Sequence, residues 1–471
     1  MNVNVNKKDI SKIAGETRKV SKRTPPPKYF LKKPKITEED KIKFFELVDE
    51  HTKSQAFFAL ANIPDYLFWD KFQYKTGTEK KFSPKQIWYF VRQLRNISST
   101  KTHIHTEKKV SFKWLRLPSL DEYLHRIDMF AGGRLFNMGP NMSESNRQTY
   151  LNRGLIEEAI ASSQLEGAHT TRKAAKEMLV QKKQPKNESE QMILNNYKTM
   201  TSICDDFKHR DLSLELLFEM HSMLTKETVN EFEQNRLRED RDEIVVQGQI
   251  GTEEYITHVP PSHAFIKKEI DRLINYANDK NSKSFTHPII KAILLHFWIG
   301  YLHPFTDGNG RLARAIFYWY LLRKEYWTFM YLPISTIIKK APMQYAMAYI
   351  YSEQDELDVT YFFDFHIKKI LQAINEFEEY LDEKIEENSQ IEKNIGGKFN
   401  LNERQKQLIY YLVSDKNPSV SVSSHMTLHN ISRQTASKDL GALEGHKLVI
   451  PKRSGKFIKY YPSKNLLKES F

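Results

Sequence analysis

The chain has 471 residues, a mass of 55.6 kDa and a formal net charge of +13. With 40% hydrophobic and 12% aromatic residues it holds enough apolar material for large cores, which excludes wholesale disorder. The single cysteine, Cys204, excludes a disulfide scaffold or a Cys-rich metal site and fits a reducing cytosol.

Length alone suggests about three domains. No apolar run reaches the ~18 residues of a bilayer span, and Met1–Lys12 lacks the apolar stretch of a secretory signal. The expectation is a cytoplasmic, multidomain protein with no membrane partner.

The charge is uneven. Residues 1–35 carry +9, residues 398–471 carry +8, and the body between them carries −4. The 1–35 stretch, with Pro25, Pro26 and Pro27 favouring extended backbone, reads as a basic, solvated and mobile arm. Residues 36–105 read as a helical region without visible chemistry, with Asp70–Thr78 a loop and Ser83-Pro84 a helix start. Ser98–Lys109 is polar, lacks apolar periodicity and reads as a linker. Residues 110–205 open on an extended stretch near Trp114–Pro118 and turn at Asn137–Ser145. They continue in a helix over about 145–165, with Leu151, Leu155, Ile156, Ala159 and Ile160 at amphipathic spacing.

Residues 206–370 read as mainly helical with one interruption. Glu243–His258 has β-branched runs on either side of Gly248–Gly251, a hairpin pattern. Thr286–Leu302 is apolar on every face and so belongs in the middle of a bundle, with Thr286 and Pro288 at its start. A charged helix over 365–393 reads as a spacer. It covers most of a helical linker at 371–397, which ends in a Gly396-Gly397 hinge.

The stretch after the apolar helix carries the chemistry: His303-Pro304-Phe305-Thr306-Asp307-Gly308-Asn309-Gly310-Arg311-Leu312-Ala313-Arg314. Pro304 ends the helix before it. Gly308 and Gly310 let backbone N–H groups turn toward an anion, and Leu312, Ala315, Ile316, Trp319 and Tyr320 resume a helix. The loop therefore delivers 308–311 to a helix N-terminus, a phosphate site. Arg311 and Arg314, one turn apart, can fork onto phosphate oxygens. Asp307 is a hard oxygen ligand suited to a Mg²⁺ shared with phosphates. His303 is a base of near-neutral pKa. Asn309 can orient a phosphate or a loop carbonyl. For any one of these residues a helix–loop–helix turn would be the plainer explanation; the whole set in one loop argues against it.

The twelve residues 303–314 resemble the Fic family of protein AMP-transferases, fitting its motif HPFx(D/E)GNGRxxR at every fixed position. The resemblance extends over at least about 140–370. Asp211–Leu224, with His221, looks like the first helix of the Fic core, and Glu243–His258 sits where the family has its flap hairpin. It implies a mainly α fold: a Fic-type helical bundle with a β-hairpin flap, with 206–370 as the catalytic core. By the same resemblance His303 takes a proton from a target hydroxyl and Asp307 binds Mg²⁺ bridging the α- and β-phosphates of ATP. Gly308, Asn309 and Gly310 form the anion hole, Arg311 holds the β-phosphate and Arg314 the γ-phosphate. AMP passes to a protein hydroxyl and pyrophosphate leaves.

Ser162-Ser163-Gln164-Leu165-Glu166-Gly167 fits the family's inhibitory pattern (S/T)xxxE(G/N). It implies that Glu166 pairs with Arg314, with Ser162 orienting Glu166 and Gly167 stopping the helix. In some relatives the same Glu positions a water and reverses the reaction. Tyr255, Ile256, Thr257 and His258 align with the flap segment that contacts nucleotide and target, and an extended flap can hold a target loop by strand addition. Tyr345 and Ser352 fall where the family lines its adenosine pocket.

Residues 398–465 read as an α+β winged-helix-like module: a helix over Asn402–Val413, a short strand at Val420–Val422, helices over Ser424–Asn430 and Ser432–His446, then strands at Leu448–Ile450 and Phe457–Tyr461. Arg433, Gln434, Thr435, Ser437 and Lys438 would face a DNA major groove, and Lys452, Arg453 and Lys456 a backbone. Such modules also serve as protein docking or dimerisation units. The expected function is a self-inhibited adenylyltransferase acting on a target protein or on itself, with duplex DNA or a second copy of the chain as further partners. The competing expectations are a nucleotide-sensing transcriptional regulator and a Fic enzyme that uses another donor or removes AMP.

Overall fold

The computed structural model describes residues 16–19, 26–77, 79–131, 144–280, 285–395, 398–414, 419–454 and 457–469. Most of the arm, nearly all of the turn expected at Asn137–Ser145, the Gly396-Gly397 hinge and Lys456 lie outside them.

The architecture is mainly α and is organised by one helix. Pro288–Leu302 has almost every side chain buried, including Phe297 and Trp298, and its two buried polar interruptions are partnered, Lys291 by Asp279 and His296 Nε2 by the Tyr345 hydroxyl (2.9 Å). Each buried apolar side chain contributes about 1.5–3 kcal/mol relative to an exposed one. The N-cap is His287, whose Nδ1 accepts from the Ile289 N–H, and not the expected Thr286. Asn309–Arg323 packs against this helix, and the motif loop joins the two. Around the pair stand Glu188–Asp205, Leu214–Thr225, His263–Ala277 and Pro342–Gln354.

Several segments differ from their sequence reading. Thr100–His105 and Ser111–Trp114 pair antiparallel, so the expected linker is a hairpin. Its apolar signal is sparse because only alternate residues such as Thr102 and Ile104 face inward. The expected spacer is part of Thr360–Ile395, whose first half is core: Phe362, Ile367 and Ile370 are buried, and only the charged second half resembles a spacer. The flap strands are Ile244–Ile250 and Glu253–His258, so Gly248 lies within a strand and the turn falls at Gly251 (φ 67°).

One hydrophobic cluster runs from Leu47 to Leu381. The 36–105 region joins it through Arg95, whose buried guanidinium donates to Asn62 Oδ1 (3.0 Å), Leu67 O (2.9 Å), Ala61 O (2.7 Å) and Tyr361 Oη (3.2 Å). A separate cluster forms the C-terminal module, built from Glu403–Ser414, Val422–His429, Arg433–Gly445 and the hairpin Val449–Ser454/Phe457–Pro462. The expected Val420–Val422 strand is a single bridge, Val420 to Tyr460, because Ser421 already caps the next helix. A terminal helix, Lys464–Glu469, was not expected.

Glu144–Leu165 packs along this helical bundle. Gly154 allows this closeness: a Cβ there would sit 2.5 Å from Met330 O. The helix stops as expected, with Gly167 at φ 97°.

Candidate active site

The motif loop is fixed from inside. Asn309 is 0% exposed; its Oδ1 accepts from Phe305 N (2.9 Å) and its Nδ2 donates to Phe305 O (2.8 Å). Its amide therefore closes the loop on itself. Gly308 adopts φ 80° at the N-cap of Asn309–Arg323, a conformation that favours glycine. His303, the C-cap of the central helix, sits at φ 47°.

Two residues outside the loop complete the frame. Neutral His221 stacks on Phe305 (centroids 3.7 Å apart, 9° between planes) and donates from Nε2 to Asp307 O (2.9 Å); burial lowers its pKa to about 4. Arg238, which the sequence reading missed, donates from Nε to His303 O (2.7 Å) and from Nη2 to Pro261 O (2.5 Å), while its own N–H donates to Pro304 O (2.8 Å). It ties the loop to the start of the helix that follows the flap. Its partners lie tens of residues away in sequence, so no local pattern announced it.

His303 is buried, and its Nδ1 donates to Gly300 O (3.2 Å). In that tautomer Nε2 carries the lone pair. Burial, helped by neighbouring His258, lowers its pKa to about 3, so the ring is a neutral base at physiological pH. His258 is held by Glu353 Oε2 at Nδ1 (2.7 Å) and by Tyr301 O at Nε2 (2.8 Å), which brings the end of the flap within 6.4 Å of the His303 ring.

Arg311 is 1% exposed; it donates from Nη1 to Leu224 O (2.9 Å) and from Nη2 to Asp307 Oδ2 (3.1 Å), and its buried Nε has no hydrogen-bond partner. The Asp307 side chain is 40% exposed. An accessible carboxylate beside a helix N-terminus, here also paired with Arg311, fits a Mg²⁺ completed by phosphates and water. Among the described residues no group of three or more His, Cys, Asp or Glu could hold a metal on its own.

Glu166 reaches into this frame from the upstream helix. Its Oε1 accepts from Arg314 Nη2 (3.0 Å). A Cβ on Gly310 would sit 2.1 Å from the same oxygen, so the carboxylate lies against the first turn of the motif helix. Ser162 acts on Arg314 and not on Glu166 as expected: its hydroxyl accepts from Nε (2.8 Å) and its carbonyl from Nη2 (2.9 Å). The spacing puts Ser162 and Glu166 one turn apart, and both reach the same guanidinium.

A cavity of about 100 Å³ lies between Glu166, Gly310, His303, the flap residues Thr257 and His258, and Tyr345. Of the two proposed adenosine contacts, Tyr345 lines it and Ser352 does not; Ser352 is fully buried in the same helix. Tyr255 and Ile256 are half-buried on the flap, and the Tyr255 hydroxyl donates to Glu253. A larger cavity of about 520 Å³, on another face of the Glu166 helix, is lined by Arg153, Lys339 and Tyr380 and contains none of the motif residues.

Residues 211–321 match the Fic/DOC family. The chain is 39% identical over 66 residues to the protein adenylyltransferase Fic of Nematostella vectensis and 36% identical over 69 residues to that of Drosophila virilis. These matches cover 14% and 15% of this chain and 15% and 14% of the relatives, so the chain spans about a seventh of their length. Among solved structures, a Fic family protein from Desulfovibrio desulfuricans G20 aligns with 18% identity over 74% of this chain and 98% of its own (TM-score 0.45). Fic-1 from C. elegans aligns with 16% identity over 72% of this chain and 86% of its own (TM-score 0.42). The likeness is thus to a domain: residues 211–321, with the HPFTDGNGRLAR loop within them, match the Fic/DOC family.

Proposed function

We propose that the chain is a protein adenylyltransferase held in check by Glu166, transferring AMP from ATP to a hydroxyl of a target protein or of itself. The observation that carries this is the convergence of a neutral buried His303, a helix N-terminus at Gly308–Gly310, Asp307 and two arginines in one frame. These are the groups that positioning and charge neutralisation of a phosphoryl centre require.

His303 Nε2 accepts the proton of the attacking hydroxyl, whose oxygen bonds to the α-phosphorus as the bond to the bridging oxygen breaks. Pyrophosphate is the leaving group. The N–H groups of 308–310 face the phosphates, and Arg314, once free, meets the γ-phosphate. Asp307 would hold the Mg²⁺, which supplies neutralisation of phosphate charge. With Glu166 in place the cavity is about 100 Å³, against about 300–1,000 Å³ for an ordinary small-molecule site. The carboxylate therefore occupies both the volume and the cation that ATP needs. The test is mass spectrometry of Glu166→Gly protein incubated with ATP and Mg²⁺. AMP on the chain or on added lysate proteins supports the reading; unmodified protein in every sample contradicts it.

A second role belongs to the C-terminal module. Arg433, Gln434, Ser437 and Lys438 are exposed along one helix, and Gly441 on the same helix has open space where a Cβ would be. A cationic face with a low point suits the close approach of a winged helix to duplex DNA. Titration of the protein with labelled duplex at two salt concentrations tests it.

A further inference from the structure

The flap has an edge, and the chain itself sits on it. Ile256 donates its N–H to Pro27 O (3.0 Å) and accepts from Tyr29 N (2.9 Å), a parallel pairing centred on Lys28. Gln354, at the end of Pro342–Gln354, continues the ladder with its side chain. Its Nε2 donates to Tyr29 O (2.9 Å) and its Oε1 accepts from Leu31 N (2.9 Å). Lys33 then donates to Gln354 O. The main-chain groups of 27, 29 and 31 are thus met on one side, with the period of two of an extended strand. The side chains alternate likewise: Tyr29 and Leu31 are half-buried, whereas Lys28, Phe30 and Lys32 are exposed. Tyr29 packs edge-on against Tyr255 of the flap (5.4 Å, 76°). Residues 16–19 pair with the other flap strand at Ile244–Gln247, so both edges of the hairpin are occupied from within.

We propose that Pro27–Leu31 is a self-occluding strand resident on the Ile256–Gln354 edge, which an incoming extended target segment must displace. This rests on the adenylyltransferase reading. Thr257 and His258, the next flap residues, line the cavity with His303, and Glu353, beside Gln354, holds His258. A strand on this edge therefore lies alongside the site. The contacts define the partner. It is extended, has free N–H groups at two positions two residues apart, and carries an aromatic side chain at the first and an aliphatic one at the second. Proline at either position removes a donor. Because the occupant is tethered, it competes at an effective concentration of roughly millimolar. A target at ordinary cellular concentration gains the edge only when it binds better or when the arm is drawn off.

The test uses a fluorescent peptide with the sequence of residues 24–34 and needs no ATP. Binding is measured by anisotropy to the full chain and to the full chain carrying Tyr29→Pro and Leu31→Pro, which cannot donate at either position. The variant is expected to bind the peptide at least tenfold more tightly than the parent, and adding Gln354→Ala is expected to reverse most of that gain. Equal binding by parent and variant, or no effect of Gln354→Ala, overturns the proposal. Should the proline variant not fold, amide hydrogen exchange on the parent decides. Protection of the Tyr29 and Leu31 amides supports the resident strand, and exchange at unprotected rates overturns it. Peptide binding without AMP transfer would leave the docking edge standing and remove only the catalytic reading.

Discussion

Glu166 and Arg314 meet at 3.0 Å beside the first turn of the motif helix, the guanidinium 3% and the carboxylate 13% exposed. An ion pair this buried gains little net stability, but removing one partner leaves the other uncompensated, at a cost of about 3–5 kcal/mol. Here Ser162 keeps two of the Arg314 contacts, so the cost of losing Glu166 falls below that range.

Glu166→Gly should therefore fold, with a modest loss of thermal stability in the absence of nucleotide. It should gain far more stability from ATP than the parent does, because the arginine and the cavity are released together. Glu166→Gly combined with Arg314→Ala should lose that gain. Thermal shift with and without ATP reads all three. A parent that ATP stabilises as strongly as the single variant places the brake elsewhere.

His303→Ala in the Glu166→Gly background should lower transfer by about 10²–10⁴, the ordinary contribution of a general base. ATP stabilisation should persist, since the imidazole acts on the hydroxyl. The pKa of about 3 also predicts that the rate shows no limb near pH 6.5 from this residue. A limb there that disappears in the variant would contradict the buried, neutral ring.

The loop and the helix after it were legible because their chemistry is local: twelve consecutive residues hold the base, the carboxylate, the glycines and both arginines. Glu166 was legible only through a family pattern, since its partner lies 148 residues away. Arg238 and Gln354 were not legible, because each acts on backbone carbonyls or amides that leave no mark in composition. The Thr100–Trp114 hairpin was missed for a related reason. Its strands are short, polar outside and stabilised from below, with Phe112 against Phe297 and Tyr301.

Acid should destabilise the fold early. His221, His303 and His366 are neutral when folded, with pKa values lowered by burial to about 4, 3 and 3. Below about pH 6.5 the unfolded chain binds protons that the folded chain refuses, so stability falls as pH falls, by about 1 kcal/mol per histidine per pH unit. Buried Glu158 and Asp358, whose pKa values burial raises, oppose this only near their own titrations. Urea midpoints from pH 7.5 to 5.5 should decline steadily; a flat profile would mean the histidines are solvated.

The proposed binding of duplex DNA by the C-terminal module should weaken steeply with salt, since phosphate contacts dominate such affinity. Replacing Lys452 and Arg453 should weaken all duplexes alike, while Arg433→Ala should change preference among them. The module also touches the helix that carries Glu166: Asn152 donates to Thr427 O and Leu428 O (2.9 Å each). Duplex bound at the module is thus expected to alter ATP stabilisation of the parent, and to alter it less in Asn152→Ala.

The most direct test of the central claim is transfer of label from ATP carrying ³²P at the α-phosphate. The account predicts strong protein labelling by Glu166→Gly, weak labelling by the parent and loss of labelling in Glu166→Gly/His303→Ala. It also predicts none from γ-labelled ATP, because the bond broken is the one between the α-phosphorus and pyrophosphate. Labelling from the γ-position, or equal α-labelling with and without His303, would contradict it.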